Sequence, residues 1–298
     1  MEFKLKTLTP IWTGGVEGKC DQLHETGIIG SLRWWYEALV RGLGGYACDP
    51  SSERKDERCD LNQEKFHKAI KDGKNIQEAL NEQICPVCQL FGCTGWGRKI
   101  KIIMNHPEIQ NIDIGFKGEF TIKFKELKKL TDEEKWLLNE TLYIIDRYGT
   151  IGAKSTLKPS KKPYYNDYGI VKIISEKSDI VELETTINKE DLKKRLLEQR
   201  EKFEKQGRAM PSEWPDLRYF IFAPDNGLDP NEYKQLQRLE PEFLRGEKGK
   251  ANKFASFKIK KRFWGYTKAN DSMFKKVCGK LEKKLKLICA EEVIENEL

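Results

Sequence analysis

Apolar and polar positions alternate from the first residues of the chain. In 2–8, Phe3 and Leu5 stand between the charged Glu2, Lys4 and Lys6, a period of two that predicts a strand ending at Thr9-Pro10. Trp12-Thr13-Gly14-Gly15 then reads as a turn. From Gly27 the period changes. Ile28, Leu32, Trp35, Leu39 and Leu43 recur at three- to four-residue spacing, which predicts a helix over 27–41, stopped by Gly42 and Gly44-Gly45. A second amphipathic helix is predicted over 62–81, with Phe66, Ala69, Ile70, Ile76, Ala79 and Leu80 on its apolar side. Strands follow at 99–104 and 117–125. Thr131-Asp132-Glu133-Glu134 fits a capping box, opening a helix that runs through Trp136, Leu142 and Ile145 to Gly149. A strand over 169–174 completes the set. With the second helix set aside, the order is βαββαβ, the split βαβ or ferredoxin-like arrangement that RRM domains share.

The second half predicts a helix at 189–205, a strand at 218–223 and a short helix at 231–239. Strand-like segments at 254–260 and 262–266 and a helix at 271–287 follow. The fold class is therefore α+β, with two ferredoxin-like (RRM-like, βαββαβ) domains in tandem, 1–175 and 176–298.

Charge sharpens this picture. Charged residues make up 34% of the 298 positions, against ~25% in an ordinary globular chain. The net charge of +7 is unevenly spread: 245–286 holds fifteen Lys/Arg against three acids. Such a block is the electrostatic footprint of a nucleic-acid binder, because phosphate neutralisation dominates that affinity. Its alternative is a solvated lysine-rich face. No window approaches the ~18 apolar residues of a membrane span, and the first residues read as a strand and not as a signal peptide. The reading is cytoplasmic, with the eight cysteines mostly reduced.

Four groups of residues carry candidate chemistry. The run Cys85-Pro86-Val87-Cys88-Gln89-Leu90-Phe91-Gly92-Cys93 offers three zinc ligands, with His24, Cys48 or Cys59 available as a fourth. A Cys48–Cys59 disulfide and a purely structural turn compete with that reading, and no cofactor or metal is assigned. Two glycine-basic loops echo each other about a hundred residues apart. Gly149-Thr150-Ile151-Gly152-Ala153-Lys154-Ser155 continues through Lys158, Lys161 and Lys162 to Tyr168-Gly169. Gly246-Glu247-Lys248-Gly249-Lys250 continues to Trp264-Gly265. Both start G-x-x-G, and backbone N–H groups with lysines can cradle a phosphate there; neither is a Walker A or a Rossmann loop. Ser31 and Arg33, in the first turns of the predicted helix, suit a phosphate at a helix N-terminus, and Arg41 lies two turns on. Trp34, Trp35 and Tyr36 are consecutive and cannot all face one way: Trp35 is assigned to the core, Trp34 or Tyr36 to base stacking. Trp96, Arg98, Lys99 and Lys101 interleave aromatic and basic character at a strand start, as suits single-stranded RNA on a sheet. Of the three histidines, His24 is the best general base, but no Ser-His-Asp set, H-E-x-x-H or paired aspartates are present.

Thr9-Pro10-Ile11-Trp12-Thr13-Gly14-Gly15, Gly27-Ile28-Ile29-Gly30-Ser31-Leu32-Arg33-Trp34-Trp35-Tyr36, the Cys-x-x-Cys-x-Leu-Phe-Gly run and the 149–169 loop occur in that order. Together they resemble the RAMP superfamily of CRISPR-associated proteins and, within it, the first-numbered subunits of type III-B (Cmr) effector complexes. The resemblance covers about residues 1–175. One departure is the loop: compact and Arg/Gly-dense in the family, it is extended here over 157–167 with Pro and Tyr. The resemblance implies a non-catalytic, RNA-binding subunit of an antiviral ribonucleoprotein that targets foreign RNA. It would contact guide or target RNA near the guide 3′ end and dock other RAMP subunits. The RNA-binding residues so expected are Gly14, Gly15, Ser31, Arg33, Arg41, Arg98, Lys99, Lys154, Ser155, Lys158, Lys161, Lys162 and Lys250. The alternative is a metal-independent endoribonuclease that cuts guide precursors, with His24 as general base.

Overall fold

The computed structural model describes residues 1–15, 17–105, 114–155, 167–174, 187–208, 210–245 and 253–298. Its first half is built on β1 (Glu2–Thr7), β2 (Ile100–Met104), β3 (Glu119–Glu126) and β4 (Val171–Ile173), antiparallel throughout in the order β2-β3-β1-β4. The alternation seen in the sequence sorts the two faces. Phe3, Leu5, Ile100, Ile102, Phe120, Ile122 and Phe124 are buried, while Lys4, Lys6, Lys101, Lys123 and Lys125 point to solvent. Helix α1 (Glu25–Gly42) lies between β1 and β2 in the chain, and α5 (Asp132–Arg147) between β3 and β4. Thr131 and Glu134 form the predicted capping box at the start of α5.

Between α1 and β2 the structure departs from the predicted long helix over 62–81. Two helices form instead, α2 (Gln63–Lys71) and α3 (Ile76–Asn81). Gly73 at φ +92° breaks the run and Asn75 starts a new capping box with Glu78; local capping overrides a continuous apolar stripe. The cysteine run also forms a helix, α4 (Pro86–Phe91), with Cys85 at the N-cap, Pro86 in the first turn and Gly92 at its end, the Pro-first, Gly-last asymmetry of a short helix.

The second half repeats the plan. Strands β5 (Phe220–Ala223), β6 (Phe254–Ser256), β7 (Phe263–Tyr266) and β8 (Ile288–Cys289) form an antiparallel sheet in the order β6-β7-β5-β8. Helix α6 (Lys189–Lys205) precedes this sheet and joins the halves: Gln199 donates to the Asn81 carbonyl at 3.0 Å, and Phe203 packs edge-on against Tyr46. Helices α7 (Pro230–Gln237) and α8 (Pro241–Leu244) stand between β5 and β6, and α9 (Asp271–Leu281) between β7 and β8. Every residue of β5, β6 and β7 is buried. Strands covered on both faces read as apolar runs without alternation, which is why their limits are less legible in the sequence.

The second sheet covers the α1–α5 layer of the first half. Trp35 is 1% exposed and its ring meets Phe220 and Trp264 at 5.5 and 5.1 Å. Tyr148 stacks on Phe222, and Arg262 donates to the Gly149 carbonyl at 3.1 Å. After α10 (Ala290–Asn296), Glu297 accepts hydrogen bonds from Tyr143 at 2.9 Å and Tyr148 at 2.6 Å. Burial and the Glu297 carboxylate push the Tyr143 hydroxyl up to about 12 and raise Tyr148 as well. The folded chain thus keeps protons that the unfolded chain gives up near pH ~10. This contribution to stability is whole below pH ~10 and fades as pH rises through about 12. Tyr143 and Tyr148 should be among the late-ionising tyrosines in an alkaline titration of tyrosinate absorbance, and Glu297→Gln should shift two of that group back toward the ordinary value while the others, raised by burial, stay late.

Candidate nucleic-acid interface

The site is assembled where the first turn of the chain, the start of α1 and the glycine-lysine loop meet. Beyond β1, Ile11 bridges Phe116 and Trp12 bridges Ala153. Buried Thr13 closes the segment before α1: its hydroxyl donates to the Gln22 carbonyl at 3.0 Å and accepts from the His24 backbone N–H at 2.9 Å. Gly14 and Gly15 follow it directly. A Cβ on Gly14 would stand 2.7 Å from the Trp12 ring, and one on Gly15 2.9 Å from His24 Nε2, so any larger residue here would displace one of these two rings.

Ser31 is in the second turn of α1, and its Oγ accepts the Gly152 backbone N–H at 3.2 Å. Trp35 anchors the same loop through its indole N–H, 2.8 Å from the Thr150 carbonyl. The loop then turns at Lys154, whose φ is +60°. The exposed Lys154 ammonium sits 3.8 Å from the centre of the Trp12 ring and 5.9 Å from that of Tyr168, a cation–π arrangement. A cavity of about 310 Å³ opens beside it, lined by Ser31, Trp34, Lys154, Ser155, Trp264 and Tyr266. That volume is at the small end of ligand clefts and admits a nucleotide-sized group. Half-buried Trp34 forms one wall, its ring 5.8 Å from Trp264 and 6.0 Å from Tyr266. The groove therefore joins a lysine, two hydroxyls, glycine backbone and the half-buried face of Trp34, which is backed by the buried rings of Trp264 and Tyr266, the elements that bind a sugar-phosphate chain and stack a base.

Ser31, Lys154 and Ser155 are thus brought together at one cavity; Gly14 meets it only through the Trp12 ring that Lys154 covers, and Gly15 packs on His24. Others are placed elsewhere. Arg33 turns away from the groove, donating to Glu37 at 2.9 Å, the Gly92 carbonyl at 3.0 Å and Cys88 Sγ at 3.4 Å. Burial pushes the Glu37 carboxyl up to about 7, against the pull of Arg41 and Arg33. Arg41 is 2% exposed; it donates to the Ala47, Cys48 and Pro215 carbonyls and lies over the Trp214 ring. It ties α1 to the second half and is not available to RNA. Lys99 is also internal, paired with Glu134 at 2.8 Å; its side chain turns inward at the start of β2 while its neighbour Arg98 stays exposed. Tyr36, one of two candidates for stacking, is fully buried against Phe91. Lys158, Lys161, Lys162 and Lys250 lie outside the described residues. Trp264 and Tyr266 join the site without having been selected by the sequence reading. The aromatic-glycine echo, Trp264-Gly265 against Tyr168-Gly169, touches Trp264 alone and says nothing of a groove, so no local signal selects the pair.

His24 caps α1, and its Nε2 lies 2.8 Å from Asp21 Oδ1, a bond that holds Asp21 below the usual carboxylate range. It is not among the cysteines. The Sγ atoms of Cys48, Cys59, Cys85 and Cys88, all buried, lie within 4.8 Å of one another, whereas half-buried Cys93 points to the Thr94 carbonyl. All eight cysteines are free. Burial opposes a charge on Cys85, but hydrogen bonds from the other three thiols hold it well below its usual value.

Two four-stranded antiparallel sheets of the same strand order, with a glycine-lysine loop laid on a helix start, define an α+β protein with a polar-aromatic groove between its halves. The family model of the RAMP superfamily matches residues 4–157, and the chain belongs to that superfamily. Membership supports a CRISPR-associated, RNA-binding character. No curated protein matches the chain. Among the described residues, no helix is long and apolar enough to cross a membrane.

Proposed function

We propose that this chain is a non-catalytic, cytoplasmic RNA-binding subunit of a type III-B CRISPR effector complex, made of two ferredoxin-like domains, 1–175 and 176–298. The groove on α1 carries the reading. It places Ser31, Lys154 and Ser155 with Trp34, Trp264 and Tyr266 around one cavity, a combination that takes single-stranded RNA by phosphate and base face together. The shared strand order of the two sheets supports the tandem ferredoxin-like assignment. Guide or target RNA lies along this groove, and the outer faces dock neighbouring RAMP subunits.

The second reading, a metal-independent endoribonuclease, draws on the His24–Asp21 hydrogen bond beside Gly15, since an orienting carboxylate is what a general-base histidine uses. A labelled single-stranded RNA, incubated without added metal and scored for both retention and cleavage, separates the two. The scaffold reading expects retained, intact RNA with the wild type and with His24→Ala. Cleavage that His24→Ala abolishes would replace it with the nuclease.

A further inference from the structure

We propose that Cys48, Cys59, Cys85 and Cys88 hold a structural zinc ion. Their four Sγ atoms lie within 4.8 Å of one another; zinc–thiolate bonds of ~2.3 Å in a tetrahedron place sulphurs about 3.8 Å apart. The spacing of the third and fourth ligands follows from α4: with Cys85 at its N-cap and Cys88 one turn on, both thiols emerge on one side, toward the loop that carries the other two. Disulfides would explain close pairs. They would not explain four mutually close sulphurs. Four protein ligands with no open position make a closed, structural site and not a catalytic one.

Two further observations point to thiolate. The Cys85 backbone N–H donates to Cys59 Sγ at 3.3 Å, and Arg33 Nη2 to Cys88 Sγ at 3.4 Å. Such donors to sulphur steady a ligand set whose charge with zinc would be about −2. Arg33, Lys55 and Arg58 line the adjoining cavity of about 350 Å³, so the excess negative charge meets cations. The segment between Cys48 and Cys59 supplies the need. None of residues 49–58 is buried, and its one helical turn, Lys55–Glu57, buries nothing. A stretch with no apolar anchor is fixed at both ends by cysteine, and zinc would fasten it to α4 and, through Cys48, to the end of α1. Binding displaces the protons of whichever thiols are still protonated and changes no oxidation state.

The test is metal analysis of the purified full chain, together with counting of reactive thiols. One zinc per chain is expected, released in step with the titration of four thiols by a mercurial; Cys20 and Cys278 are buried too, so it is the coupling of thiol titration to zinc release that marks the site. Cobalt loaded in its place should give thiolate-to-cobalt charge transfer and the visible bands of a tetrahedral site. Cys88→Ser and Cys59→Ser should lose the metal, Cys93→Ser should keep it, and Arg33→Met should weaken zinc about 10–100-fold. If the ligand variants do not fold, the zinc content and cobalt spectrum of the wild type decide. A chain without stoichiometric zinc, or with Cys48–Cys88 oxidised, would overturn the site, as would loss of metal from Cys93→Ser.

Discussion

Lys99→Met is expected to destabilise the fold by about 3–5 kcal/mol, because it leaves a carboxylate buried without its partner. Lys99 and Glu134 are 6% and 7% exposed at their side chains, and the ammonium reaches both carboxylate oxygens at 2.8 and 3.0 Å. Glu134 has a second duty: one of its oxygens accepts the Thr131 backbone N–H in the capping box of α5. The informative partner is therefore Glu134→Gln, which removes the charge but can still complete the box. Denaturant unfolding should show Lys99→Met far below the wild type and Lys99→Met/Glu134→Gln recovering much of the difference. If Lys99→Met alone unfolds like the wild type, the pair is not buried as described.

Lys154→Glu should weaken RNA binding severalfold or more, and Lys154→Gly should weaken it without reducing stability. The separation rests on the backbone. Lys154 holds φ +60°, a left-handed conformation that costs a residue with a Cβ ~1–2 kcal/mol and costs glycine almost nothing. The cation–π interaction with Trp12 at 3.8 Å, worth ~0.5–1 kcal/mol at an exposed site, offsets only part of that. The RNA contact proposed for Lys154 would account for a lysine kept in this strained position on a solvent-facing loop. Thermal melts and RNA titrations on the two variants check both halves of the statement. If Lys154 neutralises one phosphate, both variants should also bind with a shallower salt dependence, the slope of log affinity against log salt falling by ~0.7 for a single strand.

Much of this architecture is legible in the sequence because the relevant signals are local. Alternation marks β1 and β3, three-to-four spacing marks α1, and Thr131 with Glu134 marks the start of α5. A single helix through 62–81 does not form because Gly73 and Asn75 act within one turn, below the resolution of an apolar stripe. The site is legible in its polar loop and not in its aromatic wall. Ser31 and Lys154 sit in recognisable glycine settings, whereas Trp264 and Tyr266 enter only through packing of one half on the other. Arg33 and Arg41 show the converse: both read as helix-surface cations, and both are engaged internally, with Glu37, Gly92 and Cys88 and with the 47–48 carbonyls. Burial of a guanidinium depends on carbonyl groups that no sequence spacing displays. Cys48 and Cys59 are visible as possible partners of the Cys-x-x-Cys pair, but only the fold selects both of them over Cys93 and His24.

Photo-crosslinking of a single-stranded RNA to the full chain, with the attached peptides mapped by mass spectrometry, tests the central claim most directly. The groove predicts attachment at Trp34 and in the 150–155 loop, abolished by competition with unlabelled RNA and reduced by Lys154→Glu. Attachment confined to the lysine face of the first sheet or to the α9 helix, with these positions untouched, would contradict it.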